Sequence, residues 1–155
     1  MVCSLTQSKN QQSPSSFTPD GTRLVFSELI PGAGGEIRTA PVESGSGQTR
    51  LFLKTSAGYA FPAFSPDGRW LAYGDAEAGG YEVYVRAFPD NGAKVQISNA
   101  GGTWPIWSRR GHELFYRAEN GRIMVATYTV KGETFVADRP RLWSGKQLAT
   151  VGMGA

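Results

Sequence analysis

Hydrolysis by a Ser or Cys nucleophile needs a base beside the attacking group. His112 is the only histidine in the chain. It follows Gly111 in Arg109-Arg110-Gly111-His112-Glu113, next to a hairpin turn, and reads as a surface turn residue. Ser44 and Ser46 lie in Glu43-Ser44-Gly45-Ser46-Gly47, a flexible loop that lacks the order of a nucleophile elbow. Cys3 is the only cysteine, so no internal disulfide framework and no Cys-based zinc site is expected. Asp75, Glu77 and Glu82 flank one loop and could meet a cation such as calcium, but their spacing matches no calcium loop, and solvated charge is the plainer reading. Gly32-Ala33-Gly34-Gly35 and Gly101-Gly102 lack the Lys-Ser/Thr ending and following helix of a phosphate loop, and read as turns. The expectation is a chain with no catalytic residue, no metal and no cofactor.

Elements capable of positioning any site are short. Twenty glycines and nine prolines, spread evenly, punctuate the chain into strands and turns and argue against long helices. The formal charge of +3 comes from the last third, where Arg109, Arg110, Arg117, Arg122, Arg139 and Arg141 stand singly or in pairs. Nucleic-acid binding would want a denser stripe interleaved with aromatics, so no nucleic-acid partner is expected. Met1–Gln12 is polar, without the apolar centre of a signal peptide, and no stretch approaches the roughly 18 apolar residues of a membrane span. No membrane association is expected, and the compartment defaults to the cytoplasm.

Self-similarity decides the organisation. Phe17-Thr18-Pro19-Asp20-Gly21-Thr22-Arg23-Leu24-Val25-Phe26 recurs as Phe64-Ser65-Pro66-Asp67-Gly68-Arg69-Trp70-Leu71-Ala72-Tyr73, 47 residues on. A degraded copy, Trp107-Ser108-Arg109-Arg110-Gly111-His112-Glu113-Leu114-Phe115-Tyr116, follows after 43 more. Each copy is trailed by a second marker: Glu36–Ala40, Glu82–Arg86 and Arg122–Ala126. Phe61-Pro62-Ala63 and Trp104-Pro105-Ile106 precede the last two. A period in the forties filled with short strands is that of a propeller blade. In the turn, Pro66 presets φ, Asp67 tolerates the second central position and Gly68 takes a positive φ into the next strand. Pro19, Asp20 and Gly21 repeat the device, and the third copy keeps only Gly111. The strands after the turns, such as Trp70-Leu71-Ala72-Tyr73, are apolar on consecutive positions, which implies sheets covered on both faces.

The same residues carry a resemblance. Phe64–Tyr73, Tyr81–Arg86 and Glu113–Arg117 are similar to the WD40-like (PD40) repeats of TolB-type propellers, especially those appended to bacterial serine/threonine kinases. The resemblance covers roughly residues 13–143. It implies a six- or seven-bladed propeller that mediates protein contacts or senses a signal, although no kinase module and only about half the blades are present. The expected architecture is all-β, with three four-stranded antiparallel blades at 13–56, 57–99 and 100–143. A polar segment, 1–12, and a tail, 144–155, flank them. The third blade's fourth strand is placed at Pro140–Trp143.

Loops entering the innermost strands gather near a propeller's central channel, where ligands and partners dock. Tyr59, Phe61 and Trp104 are therefore the candidate binding residues, with packing between blades as the alternative. Three blades cannot close a ring of the usual size, and the end blades would bare apolar faces that drive association. The expected partner is a second copy, two half-rings making a six-bladed ring, with Met1–Ser8 or Trp143–Leu148 as a sealing strand; a nine-bladed trimer, or an open fragment that aggregates, is the alternative. The functional expectation is a non-catalytic interaction or assembly module. The alternative is a sensor or gating fragment of a larger enzyme, such as a serine/threonine kinase or a prolyl-oligopeptidase-like peptidase.

Overall fold

The computed structural model describes residues 5–43 and 48–147. Thirteen strands form three antiparallel sheets. The first holds β1 (Gln12–Phe17), β2 (Arg23–Ile30), β3 (Gly34–Pro41) and β4 (Arg50–Thr55) in sequence order. The second holds β5 (Ala63–Phe64), β6 (Trp70–Asp75), β7 (Glu82–Ala87) and β8 (Val95–Gln96). The third holds β9 (Thr103–Trp107), β10 (Glu113–Arg117) and β11 (Arg122–Lys131), with β12 (Thr134–Ala137) and β13 (Arg141–Gln147) both beside β11. No helix among the described residues is long and apolar enough to cross a membrane.

The third sheet differs from the expected four strands. Its outermost position is split: β12 pairs with the far half of β11 (Tyr128–Lys131) and β13 with the near half (Arg122–Val125). Lys131-Gly132-Glu133-Thr134 makes a tight hairpin, with Gly132 at φ 61°. The chain then continues alongside β11, so the sheet runs to Gln147 and not to Trp143. The segment from Trp143 onward, considered above as a sealing strand for a neighbour, is paired within its own chain as far as Gln147. Leu148 lies outside the described residues.

The Pro-Asp-Gly turns close by a shared set of bonds. The Gly68 amide donates to the Ser65 carbonyl at 2.9 Å, and the Gly21 amide to that of Thr18 at 2.8 Å. Asp67 Oδ1 accepts from Ser65 Oγ (2.6 Å) and the Arg69 amide (3.1 Å), and Asp20 repeats both contacts with Thr18 and Thr22. Gly21 and Gly68 both sit at φ 71°. Gly111 departs from this pattern: it is not in the left-handed region, and its amide donates to Ser108 Oγ at 3.1 Å. With Arg109-Arg110 in place of Pro-Asp, neither the preset φ nor the carboxylate that organises the turn is present, and the loop settles differently.

Packing between sheets explains the consecutive apolar residues. Leu71 and Tyr73 of β6 join Val25, Ile37 and Phe52 of the first sheet in one core. Trp70 and Ala72, on the other face of the same strand, join Trp107, Leu114, Tyr116 and Phe135 of the third sheet in a second core. All six residues of β6 are buried. Polar side chains add ties: Asp75 Oδ1 accepts from the Ala57 amide at 3.0 Å, and the Trp107 indole donates to the Ala63 carbonyl at 2.9 Å.

The two glycines at the turn centres should respond differently to substitution. Gly68→Val forces a β-branched residue into φ 71° and sets its Cβ 3.0 Å from Pro19 Cδ. It should lower stability by about 1–3 kcal/mol in denaturant titration. Gly111→Val, at an ordinary φ with no atom closer than 3.5 Å to the new Cβ, should lower it measurably less.

Candidate channel-facing site

The innermost strands β1, β5 and β9 stand side by side, and their exposed edges frame a hollow of about 1070 Å³. Its walls come from equivalent stretches of the three repeats: Pro14–Phe17, Phe61–Pro66 and Trp104–Trp107. Phe61 and Trp104 occupy the same repeat position, each immediately before a proline. Both have φ 49°, a conformation that bulky side chains rarely adopt, at a cost of about 1–3 kcal/mol each. Their rings lie 4.6 Å apart, Tyr81 stands 6.4 Å beyond Phe61, and the Arg117 guanidinium sits 5.5 Å from the Trp104 ring. The first repeat has Pro14 at this position, so the aromatic wall belongs to the second and third blades alone.

A smaller hollow of about 570 Å³ adjoins it, bordered by Tyr81, Glu82, Thr103, Arg117 and Glu119. Arg117 lines both hollows. Burial holds the phenols neutral: it raises the Tyr81 pKa and pushes Tyr116 up to about 12. A ligand here would meet tilted aromatic rings, the Arg117 guanidinium and the carboxylates of Glu82 and Glu119.

Of the three candidate binding residues, Phe61 and Trp104 converge. Tyr59 lines neither hollow; its backbone lies within hydrogen-bonding reach of the Tyr81 hydroxyl. Tyr81 and Arg117 were visible as parts of repeat markers, but nothing in their spacing set them beside the aromatic pair. The carboxylates of the Asp75 loop go to separate tasks. Asp75 is buried against the amides of Ala57 and Ala76, Glu77 pairs with Lys94 at 2.5 Å, and Glu82 accepts from Ser98 and the Gly101 amide. His112 is exposed and stacks on Tyr128 with ring centres 5.4 Å apart. Ser44 and Ser46 lie outside the described residues.

Radial sheets with inner strands around an axis match known structures. A putative TolB from Agrobacterium tumefaciens superposes with a TM-score of 0.63 at 17% identity, over 87% of this chain and 52% of that one. The fold is a β-propeller. TolB from Acinetobacter baumannii matches at 0.62 and 18% identity, over 84% of this chain and 33% of that one. A periplasmic gluconolactonase from Pseudomonas aeruginosa matches at 0.57 and 19%, over 91% and 44%. This propeller chain thus spans about half of the first TolB structure and a third of the second. No protein-family model and no curated protein sequence matches it.

Trp104 and Trp107, three residues apart, should behave oppositely. Trp104→Gly relieves the backbone cost while losing an exposed ring, so stability should stay within about 1 kcal/mol of the parent. Trp107→Ala empties a buried position and should cost about 3–5 kcal/mol. Thermal or chemical denaturation of the two variants reads the difference.

Proposed function

We propose that the protein is a non-catalytic β-propeller module that works by binding other polypeptides and that completes its ring by self-association. The observation carrying this reading is the pair of unpaired blade faces. The second blade is covered on both sides, whereas the first blade leaves Phe17 57% exposed and the third leaves Ile106 65% and Trp143 61% exposed. Apolar surface of this kind marks association sites. Two half-rings of three blades make six, a common propeller size, and a two-fold axis supplies two equivalent seams. The aromatic wall around Phe61 and Trp104 would then face the channel of the closed ring.

The absence of a catalytic role rests on how the chemistry-bearing side chains are used, since Asp75, Glu77 and Glu82 are bound into turns, ion pairs and backbone caps. A cytoplasmic setting is part of the proposal and not of the fold, which is shared with an enzyme described as periplasmic.

A second reading is favoured by the share of the TolB chains that is covered. The three blades would be part of a longer propeller serving a larger enzyme, a serine/threonine kinase or a prolyl-oligopeptidase-like peptidase, as a sensor or gate. Light scattering on the purified chain at micromolar concentration separates the two. The proposed function requires twice the chain mass, and Trp143→Asp should shift it towards monomer. A stable, well-behaved monomer would contradict self-association.

A further inference from the structure

The two blade–blade contacts inside the chain fall at equivalent positions of the repeat. Where the first blade meets the second, the Phe64 amide donates to Ser16 Oγ at 3.4 Å. Where the second meets the third, the Trp107 indole donates to the Ala63 carbonyl at 2.9 Å. The two bonds use different atoms, a backbone amide to a hydroxyl and an indole to a backbone carbonyl, but they join equivalent repeat positions. Ser16 and Ala63 occupy one position and Phe64 and Trp107 the next, so each contact joins a blade's aromatic position to the preceding inner strand. Ile106 is the third member of the first set, and Phe17 is the third member of the second. Both are exposed at the rims of the half-ring, and both border the channel hollow.

We infer that Phe17 of one copy packs against Ile106 of a second copy, with Phe115 behind it, repeating the internal contact across each of two seams. The inference rests on the self-association proposed above and names where it happens. The faces are suited to it. The positions of Ala63 and Ala72, covered in the second blade by the third, are Ile106 and Phe115 in the third blade, so the same face stays apolar. Phe115 also carries the Trp143 ring edge-on, 5.5 Å between centres, widening that surface. On the first blade, the ion pairs lie on the middle strands, where Arg38 bridges Glu28 at 3.4 Å and Glu36 at 2.7 Å. Ser8, Asn10 and Gln12 of the polar leading segment bond to the same Glu28. Phe17, at the inner edge, stays exposed.

The test uses the full chain with Cys3→Ser, one preparation carrying Phe17→Cys and another Ile106→Cys. Both positions are exposed, so neither substitution disturbs a core. The two are mixed, allowed to exchange and treated with a short bismaleimide, which tolerates more geometry than a disulfide. A chain carrying Ser16→Cys and Phe64→Cys, bridged internally and detected by peptide mapping, sets the reach of the reagent. A covalent dimer in the mixture and in neither preparation alone is the expected result. Dimer mass by light scattering without a cross-link in the mixture would overturn the seam while leaving self-association in place, as would a link formed by Phe17→Cys alone. Monomer mass for the mixture would overturn both.

Discussion

Everything in this fold depends on covering both faces of a small sheet. A four-stranded blade is too thin to hide its own side chains, so each apolar face must be met by a neighbour. The second blade satisfies that condition within the chain. Leu71 and Tyr73 are buried against the first blade, and Trp70 and Ala72 against the third. The two end blades satisfy it fully on one side and only in part on the other, where Phe17, Ile106 and Trp143 stay exposed. Their remaining faces, and the hollow between the inner strands, are the consequences from which a functional reading has to be built.

The hollow and the bare faces are linked through the inner strands. The aromatic pair Phe61 and Trp104 sits at an unfavourable φ beside buried residues, Pro62, Pro105 and Trp107, the last of which bonds across to the neighbouring blade. Backbone strain of this kind persists only where the surroundings over-determine it. Completing the ring would finish the channel that these rings border, so assembly and binding would use the same three strands. Arg117, lining both hollows and lying against Trp104, places a cation on that aromatic wall.

The repeat made most of the architecture legible. Pro66-Asp67-Gly68 names a turn because each residue has its own reason to be there, and the continuous apolar run after it announces burial on two faces. What escaped the reading did so for physical reasons. The third repeat's outer strand is split at a hairpin around Gly132 that has no counterpart in the other copies, so the period could not reveal it. Gly111 kept its place in the motif, but without the neighbouring Pro and Asp the backbone had no need of a positive φ. Phe61 and Trp104 were found through their place before the inner strands, whereas Tyr81 and Arg117 reached the site through the blade-to-blade arrangement, which no local pattern encodes. Tyr59 shares the chemistry of the pair but lines neither hollow.

Amide hydrogen exchange followed over a range of protein concentrations tests the need for covered faces most directly. Opening of a strand depends on what covers it, and coverage by a second copy is lost on dilution. Protection in Leu71–Tyr73 and Val83–Val85, covered within the chain, should fall little on dilution. Protection in β9, β10 and β1, which are covered within the chain on one face only, should fall markedly more. Exchange independent of concentration throughout, with β9 and β10 as slow as β6, would contradict it.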